Sequence, residues 1–179
     1  MPSIVMSLRF LPLALFVATV SKLLAADNIY DQSNLAAWCI VPFDSAKRGP
    51  EERAAMLEKM GLTKFVYDYR KEHIPQWDDE LNALKMHHIE LLGWWFPGAV
   101  NEEATRALEL FKRHGVHPQL WISGAGSPMA VKDEADQKDR VAKEVARFKL
   151  ICEAAAPYGC QVGIYNHGGW GGEPENALA

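Results

Sequence analysis

The chain has 179 residues, 23 acidic against 19 basic side chains and a formal net charge of −4, with hydrophobic residues making up 49%. That length suits one domain. The acidic balance and the lack of any phosphate-gripping basic run speak against nucleic acid as a partner, and Cys39, Cys152 and Cys160 match no zinc spacing.

The first element is apolar. Arg9 precedes "FLPLALFVATV", and "SKLLAAD" follows with small residues before Asp27. A charged start, a short apolar run and a cleavage point after Ala26 predict a signal peptide over 1–26 and an exported, periplasmic or secreted protein. A buried N-terminal helix is the alternative. The run is short for a bilayer span, which needs roughly 20 apolar residues, so no stable membrane anchor is expected after cleavage. Removing Arg9 and Lys22 leaves 17 basic groups against 23 acids, a net charge of −6 over 27–179. In an oxidising compartment Cys152 and Cys160 could pair, although the apolar setting of all three cysteines favours buried free thiols.

Apolar runs at 35–41, 64–69, 89–95, 119–123 and 161–166 predict five strands, and helical spacing fills the intervals. Pro50 starts a helix that Gly61 ends. Asp78 is placed to cap a second helix through Leu81 and Leu84, and Asn101 a third through Ala104, Leu108 and Phe111. The longest, over 133–156, carries Val141, Val145, Phe148 and Cys152 on one stripe. The units share no repeated motif, so a solenoid is not indicated.

Alternating strands and helices predict a parallel sheet, either open and doubly wound or part of a (β/α)8 barrel. An open sheet covered on both faces should have strands that are apolar throughout. Here Val66, Asp68 and Arg70 alternate with Phe65, Tyr67 and Tyr69, and Trp121 and Ser123 alternate with Leu120 and Ile122. Gly163, Tyr165 and His167 alternate with Val162 and Ile164. One face is apolar and the other turns polar toward the strand ends, as in a barrel below its mouth. The expectation is the first five units of a TIM-type barrel over 27–179, curved but not closed. The open edges invite self-association.

Sites in parallel α/β folds lie at the carboxyl ends of strands. His87, His88, His114 and His117 precede strands and fall on the opposite face; "HGVHP" reads as a helix end entering a strand, not a metal pair. The expected site gathers Asp68, Arg70, His73, Trp94, Trp121, Ser123, Tyr165 and His167, with Asn166 at the strand end holding the turn or touching substrate. Trp94 and Trp121 offer flat faces to a sugar ring, and the charged groups address its hydroxyls. His167 is the expected proton shuttle. In the competing reading the tryptophans are core and Asp68 with Arg70 is a structural ion pair. "HGGWGG" lets backbone approach a ligand closely but lacks the Lys and Ser/Thr of a phosphate loop.

"NLAAWCIVPFD", "EHIP", "WWFPGA", "PQLW" and "YNHGGWGGEPEN" resemble the secreted branch of the sugar phosphate isomerase/epimerase family, with its xylose isomerase-like TIM barrel. The resemblance runs from about Asn34 to the terminus, and "NHGG" is its most specific part. It implies proton transfer at a carbon next to a carbonyl of a sugar or related polyol, and a divalent Mn or Mg ion in full-length relatives. Many relatives read "ENHGG", with that Glu as first metal ligand; Tyr165 stands there in this chain, and a phenol is a poor ligand for a hard cation. The remaining ligands come from later strands. The expectation is therefore no metal cofactor in this chain and an incomplete, inactive fragment. The alternative is a metal-free carbohydrate-binding module or remnant. Nucleic-acid cleavage, found elsewhere on this barrel, is opposed by the charge.

Overall fold

The computed structural model describes residues 29–126 and 130–178, so the expected signal peptide lies outside the described residues. Four strands, β1 (Lys64–Tyr67), β2 (Glu90–Trp95), β3 (Gln119–Ser123) and β4 (Val162–Tyr165), form one parallel sheet in the order β1-β2-β3-β4. Among the described residues five α-helices alternate with them: α1 (Pro50–Lys59), α2 (Trp77–Met86), α3 (Glu102–His114), α4 (Glu134–Ala155) and α5 (Pro174–Leu178). The fold is mixed α/β with a sequentially ordered parallel sheet. No helix among the described residues is long and apolar enough to cross a membrane.

The strand expected over 35–41 is reduced to one bridge. Ala37 pairs in parallel with Phe65, donating to the Lys64 carbonyl at 2.9 Å and accepting from the Val66 N–H at 2.8 Å. Extension stops because Cys39 adopts a left-handed φ of 58°, and the Ile40 carbonyl then accepts from Phe43 and Asp44 in a turn. A strand cannot run through that geometry.

The helix ends follow their local chemistry. Pro50 opens α1 and the Glu52 carboxylate accepts the Gly49 N–H at 3.2 Å. The Asn101 Oδ1 accepts the Ala104 N–H at 2.9 Å, and Gly115 closes α3 at φ 65°. Asp78 is not a cap: α2 begins at Trp77, and the Asp78 carboxylate instead binds Arg113 and His114 of α3. A carboxylate in a first helical turn is free to serve a neighbouring helix that brings cations to it.

The core lies between the sheet and the helices, with Phe65, Tyr67, Leu120 and Ile122 packed against Leu57, Leu84, Leu108 and Phe111. A buried ion pair, Arg53 Nη1 to Glu80 at 2.6 Å, joins α1 to α2. The α4 stripe is less buried than expected. Val145 is 58% exposed and Cys152 is exposed, while Ile151 and Ala155 are the buried pair. With Ile164 of β4, the stripe lines an apolar groove that no other described element fills. The cysteines are all free, but only Cys160 is buried; Cys39 is half-buried.

One irregularity decides which aromatic side chains reach which face. Phe65 pairs with Leu91 and Val66 with Gly93, so Leu92 is an extra residue in β2. A bulge of one residue reverses the faces of everything after it. Unbroken alternation from the core residue Leu91 would turn Trp94 inward, as the sequence suggests. With the bulge, Trp94 is fully buried on the helix side among Tyr67, Tyr69, Trp77 and Phe111, at ring distances of 4.6, 5.5, 5.2 and 5.0 Å. Trp95 takes the inner face. Gly93 shares that face and leaves room for an indole: a Cβ there would stand 3.2 Å from the Trp121 ring and 3.1 Å from Val66.

At the amino ends of the strands three histidines bind neighbouring elements. His87 lies between Glu58 at 2.7 Å and Glu51 at 2.9 Å, His114 meets Asp78, and His117 meets the Tyr158 carbonyl. The two residues of the "HGVHP" pair therefore serve different partners.

Two outcomes are expected. Trp94→Ala should cost about 3–5 kcal/mol in urea unfolding, whereas Trp95→Ala should cost far less; equal losses would contradict the bulge. Bonds to Glu51 and Glu58 raise the His87 pKa above its ordinary 6.5. The fold then binds that proton more tightly than the unfolded chain, so the clamp's stabilisation is full below 6.5 and is lost as pH rises through the folded value. Melting curves across that window should show a decline that His87→Gln removes.

Candidate functional site

A cleft of about 470 Å³ opens at the carboxyl ends of the strands. Trp38 and Cys39 reach it from the bridge segment, Asp68 and Arg70 from beyond β1, Trp95 from β2, and Tyr165 and His167 from the end of β4. Glu103, in the first turn of α3, closes one side and accepts the Tyr69 hydroxyl.

The aromatic groups form a continuous inner surface. Tyr165 stacks on Trp121 at 5.5 Å and 15° between planes, and Trp38 meets both edge-on or tilted at 5.8 and 5.6 Å. Trp95 packs edge-on against Tyr165 at 5.0 Å and His167 at 5.7 Å. Alternation along β4 sends Val162 and Ile164 to the helices and puts Tyr165 and His167 side by side inside.

Of the residues expected from sequence, Asp68, Arg70, Tyr165 and His167 meet in this cleft. Trp121 lies beneath Tyr165 as its support, with its indole N–H bonded to Gln119 at 2.8 Å. Trp94 does not reach the site, for the reason given by the bulge, and Trp95 replaces it. His73 is drawn aside into a neighbouring depression, where its Nδ1 accepts the Arg70 N–H at 2.9 Å. Asn166 holds the turn through Oδ1, which accepts the Gly168 N–H at 2.9 Å. Ser123 is half-buried beside Tyr165 in the register of β3 and β4, outside the cleft lining, and its Oγ has no hydrogen-bond partner. Sequence reading missed Trp38, Cys39, Trp95 and Glu103. The doublet "WW" carried a signal, since neighbours on a strand face opposite ways and one of the two had to turn inward.

The glycine loop has a different use from the one expected. Gly171 donates to the Ala125 carbonyl at 2.7 Å and Trp170 to the Gly126 carbonyl at 3.3 Å. A Cβ on Gly169 would fall 2.4 Å from the Gly126 oxygen, and one on Gly171 would fall 2.6 Å from the Ala125 nitrogen. These glycines bring one loop's backbone against another's, not against a ligand. Trp170 then anchors the loop, buried and donating its indole N–H to Gln137 of α4 at 2.9 Å.

Asp68 dominates the electrostatics. It is 4% exposed, its Oδ2 accepts the Cys39 thiol at 3.5 Å, and its Oδ1 is buried with no partner. Arg70 stands 4.0 Å away and is largely committed to the Tyr69 carbonyl at 2.9 Å, so the ion pair is loose. Burial pushes the Asp68 carboxyl above its ordinary value, against the weaker pull of Cys39 and Arg70. Burial also raises the Cys39 thiol, helped by the Asp68 charge. Tyr165 is raised by burial and then by Cys39 and Asp68. The left-handed φ of 58° at Cys39 costs about 1–2 kcal/mol for a residue with a Cβ.

This donor set does not suit a hard divalent cation. Tyr165 is driven further from its ionised form, the His73 Nδ1 is occupied, and no three His, Cys, Asp or Glu side chains converge among the described residues. Comparison with protein-family models, curated proteins and solved structures finds no match.

Because the fold holds the Asp68 proton more tightly than the unfolded chain, the penalty for its charge is absent in acid, below the unfolded value. It grows as pH rises from there through the folded value. Asp68→Asn should therefore melt at a higher temperature than the parent near neutral pH, with the gap closing in acid. Equal melting temperatures at neutral pH would count against an uncompensated charge.

Proposed function

We propose that the sheet belongs to a (β/α)8 TIM barrel of the xylose isomerase-like kind, and that the cleft takes a sugar or related polyol for proton-transfer isomerisation or epimerisation next to a carbonyl. The observation that carries this is the convergence of Trp38, Trp95 and Tyr165 with Asp68, Arg70 and His167 at the carboxyl ends of parallel strands. Aromatic faces suit the C–H face of a pyranose or an extended polyol, and the buried Asp68 carboxyl and the exposed Arg70 guanidinium suit its hydroxyls. The motif resemblance from Asn34 onward points the same way. In this reading His167, exposed and beside Tyr165, moves a proton at substrate oxygen. A second reading, a carbohydrate-binding module without turnover, is favoured by Tyr165 standing where the resembled family carries a carboxylate.

The test is tryptophan fluorescence with a panel of aldoses, ketoses, polyols and their phosphates, followed by carbon–deuterium exchange in deuterium oxide. Saturable quenching that Trp95→Ala weakens at least about tenfold, a loss of roughly 1.4 kcal/mol, would support the site. No response to any member, or one unaltered in Trp95→Ala, would overturn it. Exchange catalysed by the parent and lost in His167→Gln separates the enzyme from the module.

A further inference from the structure

We propose that Asp68 is the group that moves the carbon-bound proton in this cleft, with Cys39 as the positioning residue that fixes its carboxyl; this rests on the isomerisation reading above.

Arg53, Asp68 and Glu80 are the charged side chains buried among the described residues. Arg53 and Glu80 neutralise each other at 2.6 Å. Asp68 has no such partner, since Arg70 lies 4.0 Å away with 46% of its side chain exposed. Glu80 also has one oxygen, Oε1, buried without a hydrogen-bond partner, but its charge is met by Arg53 and it does not line the cleft. In Asp68 one oxygen takes a single thiol bond, and the other is left without a partner in a residue that lines the cleft. A buried carboxyl perturbed by its surroundings in a cleft is the usual form of an acid–base group.

Cys39 supplies an independent observation. It is one of the non-glycine residues with positive φ, and that strain falls where the thiol meets the carboxylate. The turn that ends the bridge segment thus delivers a donor to Oδ2, while Oδ1 is buried without one. Cys39, Tyr67, Arg70, His73 and Tyr165 are the titratable neighbours whose charge acts on Asp68 or feels it. Arg70, His73 and the thiol favour the carboxylate, and burial opposes it.

For an aldose, the Asp68 carboxylate takes the hydrogen from the carbon next to the carbonyl. That C–H bond breaks, its electron pair forms the C=C bond of an enediol, and the carbonyl oxygen takes a proton from His167. Asp68 then returns its proton to the former carbonyl carbon while His167 recovers one from the neighbouring hydroxyl. A ketose results, with both groups restored and no oxidant or reductant required.

Two measurements on the full chain test this. The infrared difference between the parent and Asp68→Asn, followed through a pH titration, reads the protonation of this one carboxyl. It should keep its proton above the ordinary Asp range, move further up in Cys39→Ala, and return in Cys39→Ser, which restores a donor. Exchange of carbon-bound hydrogen into an aldose and ketose panel, followed by proton NMR, should fall at least a hundredfold in Asp68→Asn, while fluorescence-detected sugar affinity changes less than tenfold. Undiminished exchange in Asp68→Asn overturns the proposal. If the parent exchanges no sugar, the isomerisation reading fails and the proposal falls with it; in a parent that does exchange, an Asp68 carboxyl titrating in the ordinary range overturns the proposal alone.

Discussion

The extra residue at Leu92 governs how this molecule divides its aromatic side chains. Strand geometry alone sends neighbours to opposite faces, and one inserted residue exchanges the faces for the rest of the strand. On one side of the bulge Trp94 completes a buried cluster with Tyr67, Trp77 and Phe111. On the other, Trp95 stands beside Tyr165 and His167, and Gly93 leaves space for the Trp121 ring beneath them. Both the core and the cleft inherit their composition from that one insertion. Bulges near sites re-aim side chains elsewhere for the same physical reason.

Burial treats the charged groups in two ways. Arg53 and Glu80 share the cost of leaving water, and their bond ties α1 to α2. Asp68 is equally removed from solvent, but its side-chain partners are a thiol and a distant guanidinium. The first arrangement is a strut. The second stores an unmet demand for a hydrogen-bond partner at the place where a ligand would enter. Pairing in one and its lack in the other distinguish structure from site more sharply than burial does.

The rim is held by backbone contact. The loops at 124–126 and 169–172 touch so closely that a single added Cβ would collide with main-chain atoms. Trp170, Gln137 and Asn176 then fasten α5 to α4 through side-chain bonds. The position of His167 follows from this closure, because the Asn166 turn and the following glycines set where the strand ends. The inner wall of the cleft at β4 is thus braced by backbone contact, while Ile164 on the outer side of the same strand lines the apolar groove.

Much of this architecture was determined by the sequence alone. Apolar runs and helical spacing located the four strands and the main helices. Pro50, Gly61 and Asn101 marked helix ends, and the alternation of Val162 and Ile164 with Tyr165 and His167 set the faces of β4. These are local properties, dictated by dihedral preference and side-chain period. Tertiary structure alone decided the rest. The left-handed turn at Cys39 cut the first expected strand to one bridge, and the bulge gave Trp95 the place expected for Trp94. His73 was taken by the Arg70 N–H, and the glycines of the last loop by a facing backbone. Except for His73, whose partner lies three residues away, each of these depends on a partner distant along the chain: Asp68 for Cys39, the Val66–Gly93 register for the tryptophans, Ala125 and Gly126 for the loop. Spacing within a segment records which way a side chain can point. It does not record which group from another strand will be waiting there.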